Sequence, residues 1–285
     1  MSIEQRRNKK DKINVDEISL PQMGLGAREL TLEITSYCQL KCVHCYGKFD
    51  STTSSLDTVT EKDWRRLLGE AKKLGTTNIQ ISGGEPTTAP YLVRLIKFAK
   101  GELKFPKVKL YTNAVSMPDE VLEAVKETDT LVKVTFFSYS PIIHDKVTTV
   151  PGSHESTSTN IKKMYNLGIR LRAGVVLTLI NNGPGELERT IKHLNELGIY
   201  DVRYDNMHAV GKARDLAEEN EYKALCGNCW IGKLAIDSQG YVHPCVMSRF
   251  KTLGNILEQS LAEIVANPEV MRFRKSIYHA FVINK

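Results

Sequence analysis

Two apolar periods take turns along this 285-residue chain. Leu30-Thr31-Leu32-Glu33-Ile34-Thr35 alternates with period two and reads as a strand running into a loop. Trp64, Leu67, Leu68, Ala71 and Leu74 then recur at helical spacing; Thr60-Glu61-Lys62-Asp63 supplies a capping-box-like start and Gly75 a stop. Asn78 to Ser82 is the second strand. The pattern continues with a helix over 90–100, a strand over 108–112, a helix over 118–127 with Pro118 in its first turn, and a strand over 131–138. A helix over 153–167, a strand over 170–178, a helix over 185–197 and a strand over 200–206 complete it. Six strand–helix units predict an α/β fold with a parallel sheet and right-handed crossovers. They are too few to close an eight-stranded barrel, and an open doubly wound sheet would give the same string.

Beyond about residue 215 the alternation stops. Asp215 to Tyr222 is charged, and Lys233–Asp237 with Tyr241–Cys245 brackets Ser238-Gln239-Gly240 as a β-hairpin. Asn255 to Ala266 is the last clear helix, and the tail to Lys285 has room for one short one. The expected division is a basic arm over 1–28, a core over 29–214, a small domain over 215–270 and a tail over 271–285.

Composition adds little until the cysteines are placed. A hydrophobic fraction of 41% and a charged fraction of 25% are those of an ordinary globule. The net charge of +6 is concentrated in Arg6, Arg7, Lys9, Lys10 and Lys12; without that arm only +2 remains, too little to argue for nucleic acid. The arm reads as a solvated tail rather than a docking segment. No apolar run suffices for a membrane helix and no signal-peptide core stands at the start, so a cytoplasmic protein is expected. All six cysteines fall in two clusters, as metal sites distribute thiols and disulfide frameworks do not.

The first cluster, Cys38-x3-Cys42-x2-Cys45, follows the first strand, and Gly83-Gly84-Glu85-Pro86 follows the second. Four thiolates would close the coordination of a cluster or a zinc ion, whereas three leave one position open. A zinc knuckle is the plainer reading of the cysteines alone. The two motifs in this order resemble the radical S-adenosylmethionine (radical SAM) superfamily. That resemblance implies an open (β/α)6 partial barrel, a [4Fe–4S] cluster on Cys38, Cys42 and Cys45, and SAM chelated by the free iron. It also implies an electron donor such as flavodoxin or ferredoxin. In that family one electron cleaves SAM to a 5′-deoxyadenosyl radical, which abstracts a hydrogen from the substrate.

The resemblance places further residues. His44 occupies the position that packs near the adenine, and Gly83, Gly84 and Glu85 match the motif that receives the methionine amino group. The glycines would let backbone approach the ligand closely. Asn113 after Thr112, Ser138 and Arg172 stand where polar contacts to the ribose and the carboxylate are expected; Ser140 and Arg170 are the alternatives if the register slips by a residue or two. Asn206 and Met207 end the sixth strand, and Gly211-Lys212-Ala213 resembles the family's turn near the adenine.

The second cluster is Cys226-x2-Cys229-x15-Cys245. A zinc ribbon lacking a ligand is the bland reading. With Gly232-Lys233-Leu234, the hairpin and Leu253-Gly254-Asn255-Ile256, it resembles the auxiliary-cluster domain called twitch, a reduced SPASM domain, which implies a second [4Fe–4S] cluster. Only three thiols are present for it. Substrate on the open iron, a ligand such as His243, or a lost thiol would each account for that. Ala235 stands where similar sequences often carry cysteine; a thiol there would serve as fourth ligand or hydrogen-atom donor, and an alanine that merely packs is the other reading. His144, His154, His193 and His279 are expected to be solvated, whereas His208, just past the sixth strand, is the candidate proton-transfer group.

These motifs specify hydrogen abstraction and not the substrate. The resemblance to SPASM/twitch tailoring enzymes implies a peptide, aminoglycoside or nucleoside sugar. No leader-peptide-binding module precedes the barrel, which weighs against a peptide without excluding it. Oxidation or crosslinking fits the thiol count; epimerisation is the better reading only if Ala235 replaces a donor cysteine. A molybdenum-cofactor-type cyclase and a non-enzymatic zinc or iron–sulfur protein are the alternatives.

Overall fold

The computed structural model describes residues 27–216 and 224–283. The basic arm and most of the charged stretch over 215–222 lie outside the described residues. Six parallel strands form the core: β1 Glu29–Glu33, β2 Asn78–Ser82, β3 Lys107–Thr112, β4 Leu131–Phe136, β5 Leu171–Leu177 and β6 Val202–Asn206. They lie in the order β6-β5-β4-β3-β2-β1. A doubly wound sheet would reverse direction at a switch point; this one never does, so the winding is that of a partial barrel.

The helices form where period and caps agree. In α1, Glu61–Lys73, the capping box of Thr60 and Asp63 is present, and Trp64, Leu67, Leu68 and Ala71 are buried against the sheet. Then come α2 Leu92–Lys97, which continues as a wider turn to Glu102, α3 Asp119–Glu127, α4 Pro141–Thr148, α5 Ser153–Asn166 and α6 Glu186–Glu196. Pro118 caps α3 rather than entering its first turn. Sequence periodicity misses α4, which is short, weakly amphipathic and starts at a proline.

The C-terminal hairpin joins this same sheet. Strand β7, Lys233–Ile236, runs parallel to β1, with Ala235 opposite Thr31; β8 Tyr241–His243 and β9 Gly254–Asn255 follow antiparallel. Asn255, expected to open a helix, therefore ends a strand, and α7 spans only Leu261–Ala266. Helix α8, Pro268–Tyr278, crosses the boundary expected at 270. Among the described residues no helix is long and apolar enough to cross a membrane.

The two faces of the sheet differ. Leu30, Leu32, Ile79, Ile81, Val108, Leu110, Val132, Val134, Phe136, Ala173 and Val175 are buried in one apolar core with the helices. Strand alternation turns their neighbours the other way. That inner face carries Glu29, Thr31, Glu33, Gln80, Lys109, Tyr111, Lys133, Thr135 and Arg172. It is a polar lumen.

Candidate active site

The first cysteine loop is clamped by backbone. Gly84 N–H donates to Thr35 O (2.8 Å) and Glu85 N–H to Tyr37 O (2.7 Å), holding the connector from β1 to Cys38. A Cβ on Gly83 would sit 2.3 Å from Thr35 O, and one on Gly84 2.2 Å from Tyr37 O. The glycines thus admit this connector, where the motif suggested approach to a ligand. From the α4 side Lys41 N–H donates to Thr148 O (3.1 Å) and Val43 N–H to Val147 O (3.0 Å). Lys212 N–H reaches Cys45 O at 3.0 Å, and a Cβ on Gly211 would lie 2.3 Å from that oxygen.

Glu85 is fully buried and already satisfied. Its carboxylate accepts from Thr87 N–H (3.1 Å), Thr87 Oγ1 (2.8 Å), Thr112 Oγ1 (2.7 Å) and Asn113 N–H (2.8 Å). Burial pushes its pKa up against these bonds. It ties the ends of β2 and β3 together instead of waiting for a ligand amine. Asn113 does reach the cysteines, with Nδ2 3.8 Å from Cys38 Sγ and Oδ1 accepting from Gln39 Nε2 at 3.2 Å. His44 lies edge-on to Phe137, 5.1 Å between centroids, and burial lowers its pKa to about 4, so the ring is neutral, with Nδ1 unpartnered among the described residues.

Burial pushes the Cys38 thiol up to about 12 and raises Cys42 and Cys45, and their mutual repulsion adds to the rise at Cys38 and Cys42. Lys212 supplies a nearby cation to Cys42 and Cys45, and Arg249 a second to Cys45. Three thiols on one loop, Cys38 buried and Cys42 and Cys45 partly so, become thiolates only beside further positive charge, as an iron cluster would supply.

Other expected contacts go elsewhere. Ser138 is buried; its hydroxyl donates to Glu186 Oε1 and accepts from Ser140 N–H at 2.9 Å, pinning α6 to the end of β4. Arg172 lies near the start of β5, ion-paired to Asp201 at 2.5 Å, away from the strand ends where the cysteine loop sits; Arg170 pairs with Asp129 at 2.7 Å. Neither arginine is free for a methionine carboxylate. Asn206 ends β6 exposed, and Met207 N–H continues the ladder to Leu177 O at 2.8 Å.

The second site is assembled by side chains. Cys229 and Cys245 Sγ lie 3.2 Å apart, and Cys226 is exposed with Asn228 Nδ2 3.6 Å from its sulfur. The hydrogen bond with Cys229 first, and then the Ser248 hydroxyl 3.4 Å from Cys245 Sγ, hold Cys245 below the ordinary thiol range. Leu225, Trp230, Phe273 and Ile277 pack around the pair, so α8 is part of this site. His243 is not free to be a fourth ligand: Nδ1 lies 3.1 Å from Lys251 O and Nε2 3.2 Å from Asp237 Oδ2. Ala235 is 1% exposed on the inner face, between Thr31 and His243. His208 is held by Ala224 O at Nδ1 (2.7 Å) and by Asp205 at Nε2 (3.6 Å); Asp205 first, and Cys245 more weakly, raise its pKa.

One connection was not foreseen. Glu33, 1% exposed, accepts from Tyr46 Oη at 2.8 Å and pairs with Arg249. Arg249 Nη1 lies 3.8 Å from Asp237, which holds His243. A buried ionic chain thus links the residue after Cys45 to the loop after Cys245. The sequence signal for it is an acidic residue on the strand face turned away from the helices. The histidines also depart from expectation: His144 and His154 are buried with Phe136, and His193 stacks on His154 at 5.4 Å; only His279 is exposed.

Comparison with known proteins now bears on these sites. The family model described as the Radical SAM superfamily matches residues 32–198, and an iron–sulfur cluster-binding domain model, SPASM, matches 226–282. The chain belongs to the radical SAM superfamily, whose members work with SAM and [4Fe–4S] clusters. It is 26% identical over 273 residues to the antilisterial bacteriocin subtilosin biosynthesis protein AlbA of Bacillus subtilis, covering 84% of this chain and 60% of that one. The sporulation killing factor maturation protein SkfB of the same organism is 22% identical, covering 86% and 66%. Streptococcus suis SuiB bound to precursor peptide SuiA has a similar fold, with a TM-score of 0.71 at 18% identity, covering 87% of this chain and 67% of that one. The chain therefore spans about 60% of the length of the first of these relatives.

Proposed function

We propose that this chain modifies a peptide by abstracting a carbon-bound hydrogen, with an oxidative outcome such as a crosslink. The observation that carries the reading is the pair of cysteine sites joined through one sheet whose inner face is polar. The relatives whose names speak of bacteriocin and killing-factor maturation support a peptide over a sugar. When bound, the first cluster and SAM supply the 5′-deoxyadenosyl radical, reduced through a flavodoxin- or ferredoxin-type donor. The protein's part is to hold the parts still. The backbone clamp around Cys38 to Cys45 fixes the three thiols that would hold the cluster, and His44 is set edge-on to Phe137 on the same loop.

Loss of a hydrogen atom followed by loss of an electron and a proton needs a base. His208, oriented by Ala224 and Asp205 and next to the second site, is the proposed acceptor. An auxiliary cluster held by Cys226, Cys229 and Cys245 would supply the electron acceptor there. Every cysteine is then committed to iron, leaving no thiol to return a hydrogen, which is why oxidation is preferred to epimerisation. The test is anaerobic reconstitution with iron and sulfide, followed by SAM and dithionite. The reading expects 5′-deoxyadenosine from the wild type and none from Cys42→Ala; equal yields from both would overturn it.

A further inference from the structure

The inner face of the sheet carries a lysine with no ion-pair partner among the described residues. Register places Tyr111, Lys133 and Arg172 side by side across β3, β4 and β5, and Val132 and Val134 on either side of Lys133 face the helices. Lys133 therefore points into the lumen. Its ammonium donates to Tyr111 Oη and lies 4.1 Å from that ring's centroid. Among the described residues no carboxylate lies within ion-pair distance of it.

The two nearest carboxylates are already spent. Glu29 faces Lys109 at 3.4 Å and Lys233 at 3.9 Å and also accepts from Asn78 at 2.9 Å. Asp201 faces Arg172 at 2.5 Å and Arg203 at 3.1 Å. Burial first, then repulsion from Lys109 and Arg172, lower the Lys133 pKa to about 8. A half-buried cation with only a phenol beside it is costly unless an anion arrives.

We propose that Lys133, with Tyr111 beside it, binds a carboxylate of the substrate inside the lumen, so that the peptide carries an acidic side chain or a free C-terminus. This rests on the peptide-modifying reading above. The carboxylate takes the place of the missing counter-ion, and the Tyr111 hydroxyl, released from accepting the lysine alone, donates to its second oxygen. Lys133 is then a specificity residue, separate from the residues that hold the cysteine loop.

Competitive amine labelling tests it on the whole protein without any known substrate. Lysines are trace-acetylated near pH 8 and each site is read by peptide mass spectrometry, with N-acetylglutamate α-amide, N-acetylglutamine α-amide, N-acetyl-dialanine with a free C-terminus or inorganic phosphate as competitor. At about ten times its Kd, the glutamate compound should slow acetylation of Lys133 about tenfold while leaving surface Lys192 unchanged. The glutamine compound, which carries no carboxylate, should give no protection. Protection by N-acetyl-dialanine but not by the glutamate compound identifies a chain terminus as the group bound. Equal protection by the glutamine compound or by phosphate, or protection by none, overturns the proposal. SAM cleavage plays no part in this readout, so protected labelling with no 5′-deoxyadenosine formed would sink the peptide-modifying reading alone. Cleavage with unprotected Lys133 would sink this one alone.

Discussion

The two cysteine sites are built by opposite means. The first is held by main-chain hydrogen bonds from the β2 end, from α4 and from the turn after β6, with glycines where a Cβ would strike a carbonyl. The second is held by side-chain packing of Leu225, Trp230, Phe273 and Ile277 around a close thiol pair. Backbone clamps fix a loop whose geometry must not vary, whereas packing by interchangeable apolar groups tolerates drift. On the proposed function, the site that would present an open iron to SAM has the first kind of support, and the one that would accept an electron has the second.

The comparison breaks most completely at the ligands. Cys42→Ala should abolish 5′-deoxyadenosine formation, whereas Cys245→Ala should keep uncoupled SAM cleavage and lose the modified product. Assaying both compounds in the same reaction checks this; product from Cys245→Ala would remove the second site from the chemistry. Next comes Gly84→Ala, whose methyl would meet Tyr37 O at 2.2 Å. The backbone must shift, and a loss of about 3 kcal/mol or more is expected, read by denaturant unfolding together with iron lost from the first site. Phe273→Leu at the second site should cost only about 1 kcal/mol, because the volume is largely kept.

The ionic chain between the sites sharpens the picture. Arg249→Met leaves Glu33 buried without its cation and should cost about 3 kcal/mol, whereas adding Glu33→Gln should restore part of that. Chemical denaturation of the single and double variants measures it, and additive losses would mean the pair does not interact.

A further effect concerns pH. His144 has its pKa lowered to about 3 by burial first and by the neighbouring His154 next. An unfolded histidine binds its proton near pH 6.5, so below that value the unfolded chain takes up more protons than the folded one and stability falls with acidity. Between pH 7 and pH 5 His144 should account for roughly 2 kcal/mol of lost stability. Melting curves across that range, flatter for His144→Gln than for the wild type, check it; parallel curves would count against a neutral buried ring.

Periodicity made the six-strand core legible because each strand has one face against helices, and the capping box at Thr60 marked α1 by its own chemistry. Winding was not legible, since strand order leaves no trace in the string. A motif that fixes backbone singles out residues with a visible structural part: Gly83 and Gly84 face the Thr35 and Tyr37 carbonyls, and Asn113 reaches Cys38. Residues were misplaced where only a position along a strand was available: Ser138 and Arg172 are polar residues consumed by local partners, Glu186 and Asp201. Glu33 and Arg249 stand 216 residues apart, and no local pattern pairs them.

The central claim is that the first cysteine loop leaves an iron one partner short for SAM. The most direct measurement is the electron paramagnetic resonance spectrum of the reduced, reconstituted Cys245→Ala protein before and after SAM is added. A changed g-tensor on addition, with none in Cys42→Ala, is the result this account predicts. A spectrum indifferent to SAM would contradict it.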